Sequence, residues 1–413
     1  MSLNTQILVA AIIGIAFGFL LNLYPDTAFF QHSLYGLGII SSIFIGLLKM
    51  LLIPLIFSSI VVGVSNLQAS GQFGRVWKIT ALCCLTTTTL ALILGIGCAH
   101  LFGVGKGMDI GIFSEAMSNH QSPDTLSPST FFTNFIQNTL INPFKAFSDG
   151  NVLAVVVFAL FIGAALIKGG DRFQSVRVLS LQFFDIMMML VGWVMKLAPL
   201  GILALLAKLI ATEDVKILNS LAEFALVVTG TTIFHGAVVL PLLLWIFGKM
   251  NPITFFKGTR LALITAFATS SSSATMPLSM KCAQENLKVR PQTAGFVIPL
   301  GTQLNMDGTA LYEAAAALFI ANLVGMDLTL TQQLIVCLTA MIASLGAPGI
   351  PSAGMVTMIM VLQSVGLPAE AIAILLPIDR ILDTVRTVVN VQGDMMISVV
   401  VDRYAKSDSI ETS

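Results

Sequence analysis

Long apolar runs separated by short polar or Pro/Gly-rich stretches occupy most of the chain. Crossing a hydrocarbon core roughly 30 Å thick takes about 20 apolar residues in a helix. Runs of that length recur from Ile7–Leu23 and Leu37–Val64 onward. Breaking the first part of the chain at its polar stretches predicts helices at about 5–24, 35–65, 77–103, 150–168, 174–207 and 217–248. The pattern therefore predicts an all-α integral membrane protein that spans the bilayer several times.

The apolar pattern changes after residue 250, where two long runs are interrupted at their centres. Ile253–Met280 is broken by "TSSSSATMP" at Thr269–Pro277, and Leu330–Val365 is broken by "GAPGIPSAG" at Gly346–Gly354. Each half is too short to cross a bilayer. Both runs are predicted to be re-entrant hairpins, because irregular backbone at membrane depth must be buried in protein or line a wet cavity.

One long helix is predicted after each hairpin, and the two helices carry related polar strings. These strings are "NMDG" at Asn305–Gly308 and "NVQGD" at Asn390–Asp394. The chain thus repeats a unit made of a hairpin and a helix. Interrupted apolar segments in corresponding positions of a repeat indicate a binding site near the bilayer midplane of a secondary transporter.

Composition and charge remove several other classes of protein. The 413 residues are 56% hydrophobic and 10% charged, whereas soluble domains contain about 25% charged residues. The net charge is zero and the chain has no basic block, so a nucleic-acid partner is not expected. The five cysteines lack CxxC spacing and the four histidines are isolated, so they are interpreted as packing residues rather than as metal ligands or disulfides.

Lys and Arg fall mainly in alternate connections, which the positive-inside rule places in the cytoplasm. Examples are Arg75 and Lys78 after the second helix and Arg403 and Lys406 at the C-terminus. Both termini are therefore expected to be cytoplasmic. The first apolar run has no preceding Lys or Arg and no cleavage site, so it is expected to be a retained span. The polar stretch Gly105–Gly150 is predicted to be an aqueous loop.

The last long helix carries an unusual stripe of polar side chains. At about 100° per residue, a stripe roughly 100° wide contains Asp379, Asp383, Arg386, Thr387, Asn390 and Asp394. One ionisable residue in lipid costs on the order of 3 kcal/mol, so these groups must face a polar cavity or one another. A structural ion pair between Asp383 and Arg386 is the alternative, and it leaves Asn390 and Asp394 unexplained.

These residue types match the chemistry of an acidic amino acid and a small cation. A carboxylate can hold an ammonium group, and a guanidinium offers two parallel hydrogen bonds to a carboxylate. Asn305, Asp307, Asn390 and Asp394 supply only hard oxygen ligands, which suit Na⁺. Helix N-termini at the hairpin tips would favour an anion. No catalytic residue is predicted, and the expected cofactor is Na⁺, with H⁺ as an alternative coupling ion.

Four strings, in order, identify the chain as similar to the dicarboxylate/amino acid:cation (Na⁺ or H⁺) symporter family, of the glutamate/aspartate transporter type. They are Ser270–Pro277, Gly301–Glu313, Gly346–Gly354 and Asp379–Asp394. The resemblance implies eight transmembrane helices plus two re-entrant hairpins, inverted repeats, an elevator mechanism and a homotrimer. It places the protein in the bacterial inner membrane, in contact with lipid.

The resemblance also implies a division of the chain. Residues 1–76 would be scaffold helices 1 and 2, and residues 77–104 would be helix 3 of the transport domain. Residues 105–248 would hold a loop and helices 4–6, with helices 4 and 5 in the scaffold and helix 6 in the transport domain. Residues 251–403 would be the transport core of hairpin 1, helix 7, hairpin 2 and helix 8.

Site residues follow from the resemblance, position by position. The substrate site would use Ser271, Ser272, Thr309, Ile350, Gly354, Asp383, Arg386, Thr387 and Asn390, with Asp383 on the amino group and Arg386 on the side-chain carboxylate. One cation would be held by Gly301, Asn305, Asn390 and Asp394, and another by Asn305, Asp307, Thr87 and Thr88. A third would use the carbonyl of Gln303 with carbonyls of the second hairpin.

Several positions depart from the family pattern. Archaeal members carry an Arg where Ser270 stands, and vertebrate members carry one where Thr384 stands. Arg380 either substitutes for them or pairs with Asp379. Cys84 stands in place of a frequent Tyr and Gln303 in place of a frequent Thr, so the resemblance does not set the sodium stoichiometry.

Some polar residues have two interpretations. The threonines Thr86–Thr89 either pack helices through small, back-bonding side chains or supply the cation ligands named above. His235 is expected to be a satisfied residue of the helix bundle. Glu313 is the candidate proton carrier, because a carboxyl without a fixed partner in an apolar run favours its neutral form and proton-coupled relatives carry Glu there. The alternative is a hydrogen-bonded Glu without a transport role.

The remaining alternatives concern function. A membrane serine hydrolase would need a G-x-S-x-G elbow with a His partner, and Thr269–Pro277 lacks those glycines. A passive channel would show no substrate-stimulated cation uptake. C4-dicarboxylate carriers of the family usually lack the equivalent of Asp383, and neutral (serine/threonine) carriers lack that of Arg386. Since both residues are present, a Na⁺- or H⁺-driven symporter of glutamate or aspartate is favoured.

Overall fold

Nearly all of the described chain is helical. A computed structural model describes residues 3–25, 27–65, 74–106, 137, 140–149, 151–212, 216–346 and 353–405, and no strand occurs among them. The first elements are α1 Leu3–Asn22, α2 Ala28–Ser65, α3 Gly74–Phe102, α4 Pro143–Asp149, α5 Val152–Gly169 and α6 Gln174–Thr212, with a 3₁₀ turn at Gly170–Phe173. These elements confirm the helices expected from the apolar runs.

The next element is a continuous helical rod that changes its pitch twice. It consists of α7 Lys216–Phe234, a π turn at His235–Val239, α8 Leu240–Leu243 and a second π turn at Leu244–Gly248. The later elements are α9 Pro252–Thr269, α10 Ser272–Lys281, α11 Pro291–Leu304, α12 Asp307–Leu323, α13 Leu330–Gly346, α14 Ala353–Ser364 and α15 Ile372–Ala405, with a π turn at Cys282–Asn286 and a 3₁₀ turn at Ala369–Ala371.

Two predicted boundaries were wrong. The helix expected from about residue 35 begins at Ala28, because the Thr27 hydroxyl accepts a hydrogen bond from Phe30 N at 3.2 Å and so caps the helix. The helix expected to end near residue 207 continues to Thr212 and accommodates Pro199 in its interior. Apolar sequence contains few polar or helix-breaking residues, so the exact ends of these helices were hard to predict.

At the positions of both predicted hairpins, the structure has two helices in contact. α9 packs on α10, and the chain turns between them at Ser270, which is left-handed with φ of 48°. The Ser271 hydroxyl then accepts from Ala274 N at 3.1 Å and begins α10. α13 likewise packs on α14. Residues 347–352 between them, which include Ile350, lie outside the described residues.

The single long helix predicted after the first hairpin is instead two helices. α11 ends at Leu304 and α12 begins at Asp307, with non-helical backbone angles at Asn305 (φ −111°, ψ 79°) and Met306 (φ −114°, ψ 55°). Asn and Asp side chains compete with the helical hydrogen bonds of the backbone, which favours a break at "NMDG". The break releases backbone groups from helical hydrogen bonds and places them beside the buried polar side chains of Asn305 and Asp307.

The helices pack in two groups. α1 and α2 pack on α6, and α2 packs on α5. In the other group α3 packs on α12, while α7, α9, α11 and α12 pack on α15. α12 lies at the centre, and every one of its residues except Asn322 is buried.

By length and composition, three stretches of the described chain are apolar enough to cross a membrane. They are Val76–Phe102, Val157–Val194 across the α5–α6 turn, and Leu218–Gly248. Shorter apolar helices are Val9–Asn22, Ile53–Val62 and Leu330–Ser344.

The contact between α1 and α6 depends on small residues. A Cβ on Gly18 would lie 2.7 Å from the carbonyl oxygen of Ala207 and 2.7 Å from Ile210 Cβ. Helices in membranes associate by such close backbone approach, because lipid tails remove most of the hydrophobic driving force between them.

We predict that Gly18→Ala destabilises the protein by about 1–3 kcal/mol, the usual cost of overpacking. The apparent thermal unfolding midpoint in detergent would fall. Gly97→Ala is the matched control, since a Cβ on Gly97 of α3 meets nothing within 4 Å. Equal midpoints for the two variants would contradict the role of Gly18.

Candidate functional site

The polar stripe of α15 faces the interior of the protein. Its six members are all more than nine-tenths buried: Asp379, Asp383, Arg386, Thr387, Asn390 and Asp394. They lie on the helix that α9, α11 and α12 pack against. The sequence-based expectation that these groups avoid lipid is therefore confirmed, and the stripe defines the candidate site.

Arg386 is held from one side only. Its Nη2 donates to Asp379 Oδ1 at 2.7 Å and to Asp383 Oδ1 at 3.1 Å. Its Cζ lies 4.0 Å from the centroid of the Tyr312 ring, within cation–π distance. Its Nε and Nη1 are buried and have no hydrogen-bond partner among the described residues. Nη2 is thus paired with two carboxylates, whereas Nε and Nη1 remain available to a ligand.

The ion pairs of α15 differ from the alternatives drawn from the sequence. Arg380 Nη1 lies 3.4 Å from Asp383 Oδ2, a pairing that neither alternative for Arg380 included. Asp379 pairs with Arg386 because seven residues are close to two helical turns, which brings both side chains to one face. The pair of Arg386 with Asp383 exists, and it uses only part of each group.

The open half of Arg386 is bordered by the start of α14 and by α12. A Cβ on Gly354 would lie 3.0 Å from Thr309 Cγ2 and 3.7 Å from Arg386 Nη1, so the missing side chain keeps this space clear. Thr309 is buried and accepts from Asn390 Nδ2 at 3.3 Å. Asn390 Oδ1 in turn accepts from Gly308 N at 2.8 Å. Thr309, Gly354, Arg386 and Asn390 are therefore brought together as expected.

The tip of the first hairpin is polar and buried. Ser270, Ser271 and Ser272 are all more than nine-tenths buried. Ser270 adopts the left-handed conformation, and its hydroxyl has no hydrogen-bond partner within the described part of the chain. Such strained backbone clusters at ligand sites.

A cluster of oxygen atoms surrounds the break between α11 and α12. Thr87 Oγ1 lies 3.2 Å from Asn305 Oδ1 and 3.1 Å from Asp307 Oδ1, and Thr88 Oγ1 lies 2.8 Å from Asp307 Oδ1. Thr86 and Thr89 are exposed and donate to carbonyl groups of their own helix. Thr87 and Thr88 thus face the buried oxygen atoms of Asn305 and Asp307, whereas Thr86 and Thr89 bond back to their own helix.

A second oxygen cluster lies beside the first and shares Asn305 with it. Asn305 Nδ2 donates to Asp394 Oδ1 at 3.3 Å, and Thr302 Oγ1 lies 3.5 Å from Asp394 Oδ2. A Cβ on Gly301 would lie 2.5 Å from Asp394 Oδ1, and one on Gly393 would lie 2.4 Å from Asn305 Nδ2. The two glycines therefore let α11 and α15 approach closely enough to form the cluster.

The ligand set of both clusters suits a small hard cation, which prefers carboxylate, amide and hydroxyl oxygens. The described residues contain no group of three or more His, Cys, Asp or Glu side chains that could hold a metal ion. Gln303 follows Thr302 in the sequence, and its side chain is half-buried.

His235 is the site residue that the sequence analysis missed. Its Nε2 lies 3.2 Å from Asp307 Oδ2, both side chains are fully buried, and its Nδ1 has no partner among the described residues. His235 begins a π turn, a feature frequent at functional sites. The rule that an ionisable residue inside a membrane marks function is the signal that could have identified it.

Glu313 is buried in α12 and has one partner, against the expectation of none. Its Oε1 accepts a short hydrogen bond from Thr357 Oγ1 of α14, and Oε2 has no partner in the described ranges. Thr357 Oγ1 also lies 3.2 Å from the carbonyl oxygen of Gly354. Glu313 is therefore connected through Thr357 to the residue that borders Arg386.

Comparisons with known proteins match nearly the whole chain. Residues 3–404 match the model of the sodium:dicarboxylate symporter family. The chain is 34% identical to excitatory amino acid transporter 3 of Homo sapiens, over 97% of this chain and 84% of that protein. It is 35% identical to an excitatory amino acid transporter of Caenorhabditis elegans (88% and 80%) and 35% identical to excitatory amino acid transporter 2 of Mus musculus (88% and 72%).

We predict that Gly301→Ala weakens cation binding, because the new methyl group displaces the Asp394 carboxylate. Disturbing the support of a metal ligand typically lowers affinity about tenfold or more. Thermal stabilisation by NaCl, with choline chloride holding ionic strength constant, measures the apparent affinity.

Gly295→Ala is the matched control on the same helix, since a Cβ there meets nothing within 4 Å. If both variants respond to NaCl as the unmodified protein does, the Asp394 cluster is not a cation site.

Proposed function

The chain belongs to the sodium:dicarboxylate symporter family, and on that premise we propose that it is a secondary active symporter of glutamate or aspartate driven by a Na⁺ gradient. It is a multi-pass membrane transporter and not an enzyme. His235 contacts Asp307 rather than a serine, which also argues against the hydrolase alternative.

One observation supports the substrate assignment above all. Arg386 is locked by two carboxylates, and its remaining donors, Nε and Nη1, are buried without partners among the described residues. Nε and Nη1 lie on different edges of the guanidinium, and Nη1 carries two hydrogens that can form charge-assisted hydrogen bonds with a carboxylate. We assign Nη1 to the side-chain carboxylate of the substrate and Asp383 to its ammonium group.

The charges near Arg386 favour a zwitterion with one extra acid group. Arg380 and Arg386 are balanced by Asp379 and Asp383. A C4-dicarboxylate would place a second anionic group where the ammonium should meet Asp383. A neutral amino acid would leave the buried donors of Arg386 unpaired, which is costly in a low-dielectric site.

We assign the coupling Na⁺ ions to the two oxygen clusters that meet at Asn305. A cation there would neutralise buried Asp307 or Asp394 and order the break between α11 and α12. The distances of Thr87, Thr88, Asn305, Asp307 and Asp394 within each cluster support the assignment. The proposal also includes Gly301 and Asn390, and Gln303 in a third site with carbonyls of the second hairpin.

The remaining architecture is part of the same proposal. The group formed by α1, α2, α5 and α6 would be the scaffold, and the group around α12 and α15 would be the moving transport domain of an elevator. Eight spanning helices with two hairpins, a homotrimer, cytoplasmic termini and residence in a bacterial inner membrane stay predictions. Sparse packing between the two groups supports the division.

We further propose that Glu313 carries a proton with the substrate. The Thr357 hydroxyl has one hydrogen and lies near both Glu313 and the Gly354 carbonyl. A protonated Glu313 can donate to Thr357 Oγ1 while Thr357 donates to Gly354, so both bonds form at once. Protonation would then stabilise α14 at the substrate site.

Uptake into proteoliposomes tests the function. Radiolabelled glutamate, aspartate, succinate and serine are compared under an inward Na⁺ gradient and under choline. The proposal expects Na⁺-dependent accumulation of glutamate or aspartate. Preference for succinate or serine would identify a different substrate class, and entry without accumulation would identify a passive channel.

We predict that Arg386→Cys abolishes transport of glutamate and aspartate while admitting serine or alanine, because the substrate carboxylate loses its charged donor. Losing a charged partner in a buried site costs roughly 2–5 kcal/mol, which would make binding undetectable. Arg172→Cys, at an exposed position of the 3₁₀ turn, is the control. Unchanged glutamate affinity in Arg386→Cys would show the assignment to be wrong.

We predict that Glu313→Gln stops proton movement but retains substrate exchange, since the amide still bonds Thr357 and carries no titrating proton. A pH-sensitive dye inside the vesicles reports proton entry during uptake at varied external pH. The exposed Glu223 provides the control Glu223→Gln. Equal substrate-dependent acidification in Glu313→Gln and the unmodified protein would remove Glu313 from the mechanism.

A further inference from the structure

A cavity of about 380 Å³ lies outside the candidate site, between α3, the end of the helical rod and the end of α15. Its walls are almost entirely apolar and include Leu82, Cys83, Phe247, Met396 and Tyr404. A volume in this range is typical of small-molecule sites. Apolar cavities of this kind stay dry and accept apolar ligands, so the space is shaped for a hydrocarbon group.

The cavity opens towards lipid. Two of its walls belong to the stretches apolar enough to cross a membrane, Val76–Phe102 and Leu218–Gly248. Leu82 is 65% exposed and Phe247 is 45% exposed, so the opening lies on the outer surface of these helices. An acyl chain of the surrounding bilayer can therefore reach the cavity without crossing water.

Three basic residues neighbour the cavity lining in sequence. Lys78 lies next to lining residue Ile79, Lys249 follows Phe247 by two positions, and Arg403 adjoins Tyr404. All three are exposed; Lys78 is near the N-terminus of α3, and Lys249 and Arg403 are at the C-terminal ends of the rod and of α15.

The acid nearest to these cations along the chain is already occupied. Asp402 is buried and accepts from Arg290 Nε at 2.7 Å and from Thr293 Oγ1 at 2.9 Å. These contacts direct one carboxylate oxygen of Asp402 towards the start of α11. Basic residues at the cytoplasmic ends of membrane helices attract anionic lipid headgroups.

We propose that this cavity binds an anionic phospholipid, with one acyl chain between α3, the rod and α15 and the phosphate group at Lys78, Lys249 and Arg403. The site is distinct from the substrate site and adjoins the proposed cation cluster, because Thr87 contributes to both. Thr87 lines the cavity, and its hydroxyl contacts Asn305 and Asp307. Lipid occupancy thus fixes the turn of α3 that supplies a cation ligand.

Photolabelling of the full chain in vesicles tests the proposal. Phosphatidylglycerol and phosphatidylcholine with the same diazirine-bearing acyl chain are compared as probes in a phosphatidylcholine background. Labelling by phosphatidylglycerol should concentrate in 79–87 and 243–247 and exceed that by phosphatidylcholine. Each charge removed from Lys78→Gln, Lys249→Gln and Arg403→Gln should lower the preference about fivefold.

Matched variants distinguish lipid binding inside the cavity from lipid binding to the surrounding surface. Cys83→Phe fills the cavity and should remove the labelling, and the smaller Cys83→Leu should reduce it with less strain. Cys98→Phe on the same helix is the control for size. Lys257→Gln, Arg260→Gln and Lys281→Gln, which replace exposed residues away from the lining, control for charge.

Three results would overturn the proposal. One is equal labelling by both headgroups, and another is labelling that persists in monodisperse Cys83→Phe and Cys83→Leu proteins. The third is labelling by a diazirine-bearing free fatty acid but not by phosphatidylglycerol.

Discussion

A buried guanidinium must have its charge compensated, and the centre of this protein is arranged around that requirement. Arg386 is 1% exposed in the middle of a long apolar helix, where an unpaired charge would be expelled or neutralised. Asp379 and Asp383 supply the compensation from the same helix, and the Tyr312 ring covers one face. Because all of these groups converge on Nη2 and the ring face, the other donors of Arg386 keep a fixed direction before any ligand arrives.

Breaks in regular structure supply what continuous helices cannot. An intact helix uses its backbone groups internally, so ligands come only from side chains. The interruption at Asn305–Met306, the left-handed turn at Ser270 and the π turn at His235 all lie in segments that are buried or next to polar side chains. Gln392 Nε2 donates to the Gly236 carbonyl at 2.6 Å, which satisfies one backbone group of the π turn from α15. The irregular segments are thus stabilised by side chains of the neighbouring helices.

Apolar periodicity predicted most of this fold, because a membrane makes helix the default and leaves Pro, Gly and Ser runs as visible interruptions. It did not predict the break at Asn305, since "NMDG" contains no proline and resembles the unbroken string on α15. Among the site residues, Arg386, Asp394 and Asn305 were identifiable from their place on polar stripes and in family motifs. His235 was not, because one polar residue in an apolar run has no periodicity. The pairing of Arg386 with Asp379 was missed because the sequence analysis paired each arginine only with an acid one or three residues away.

The close approach of Gly301 to Asp394 and of Gly393 to Asn305 has a consequence for ion selectivity. The spacing of ligands in this cluster is set by contact between two helix backbones, not by the rotamers of long side chains. Widening it to fit K⁺ would require α11 and α15 to separate along a packed interface, and close-packed interiors resist such expansion. In the proposed cation site, the two glycines would therefore fix a ligand spacing suited to a small dehydrated ion rather than to a larger one of equal charge.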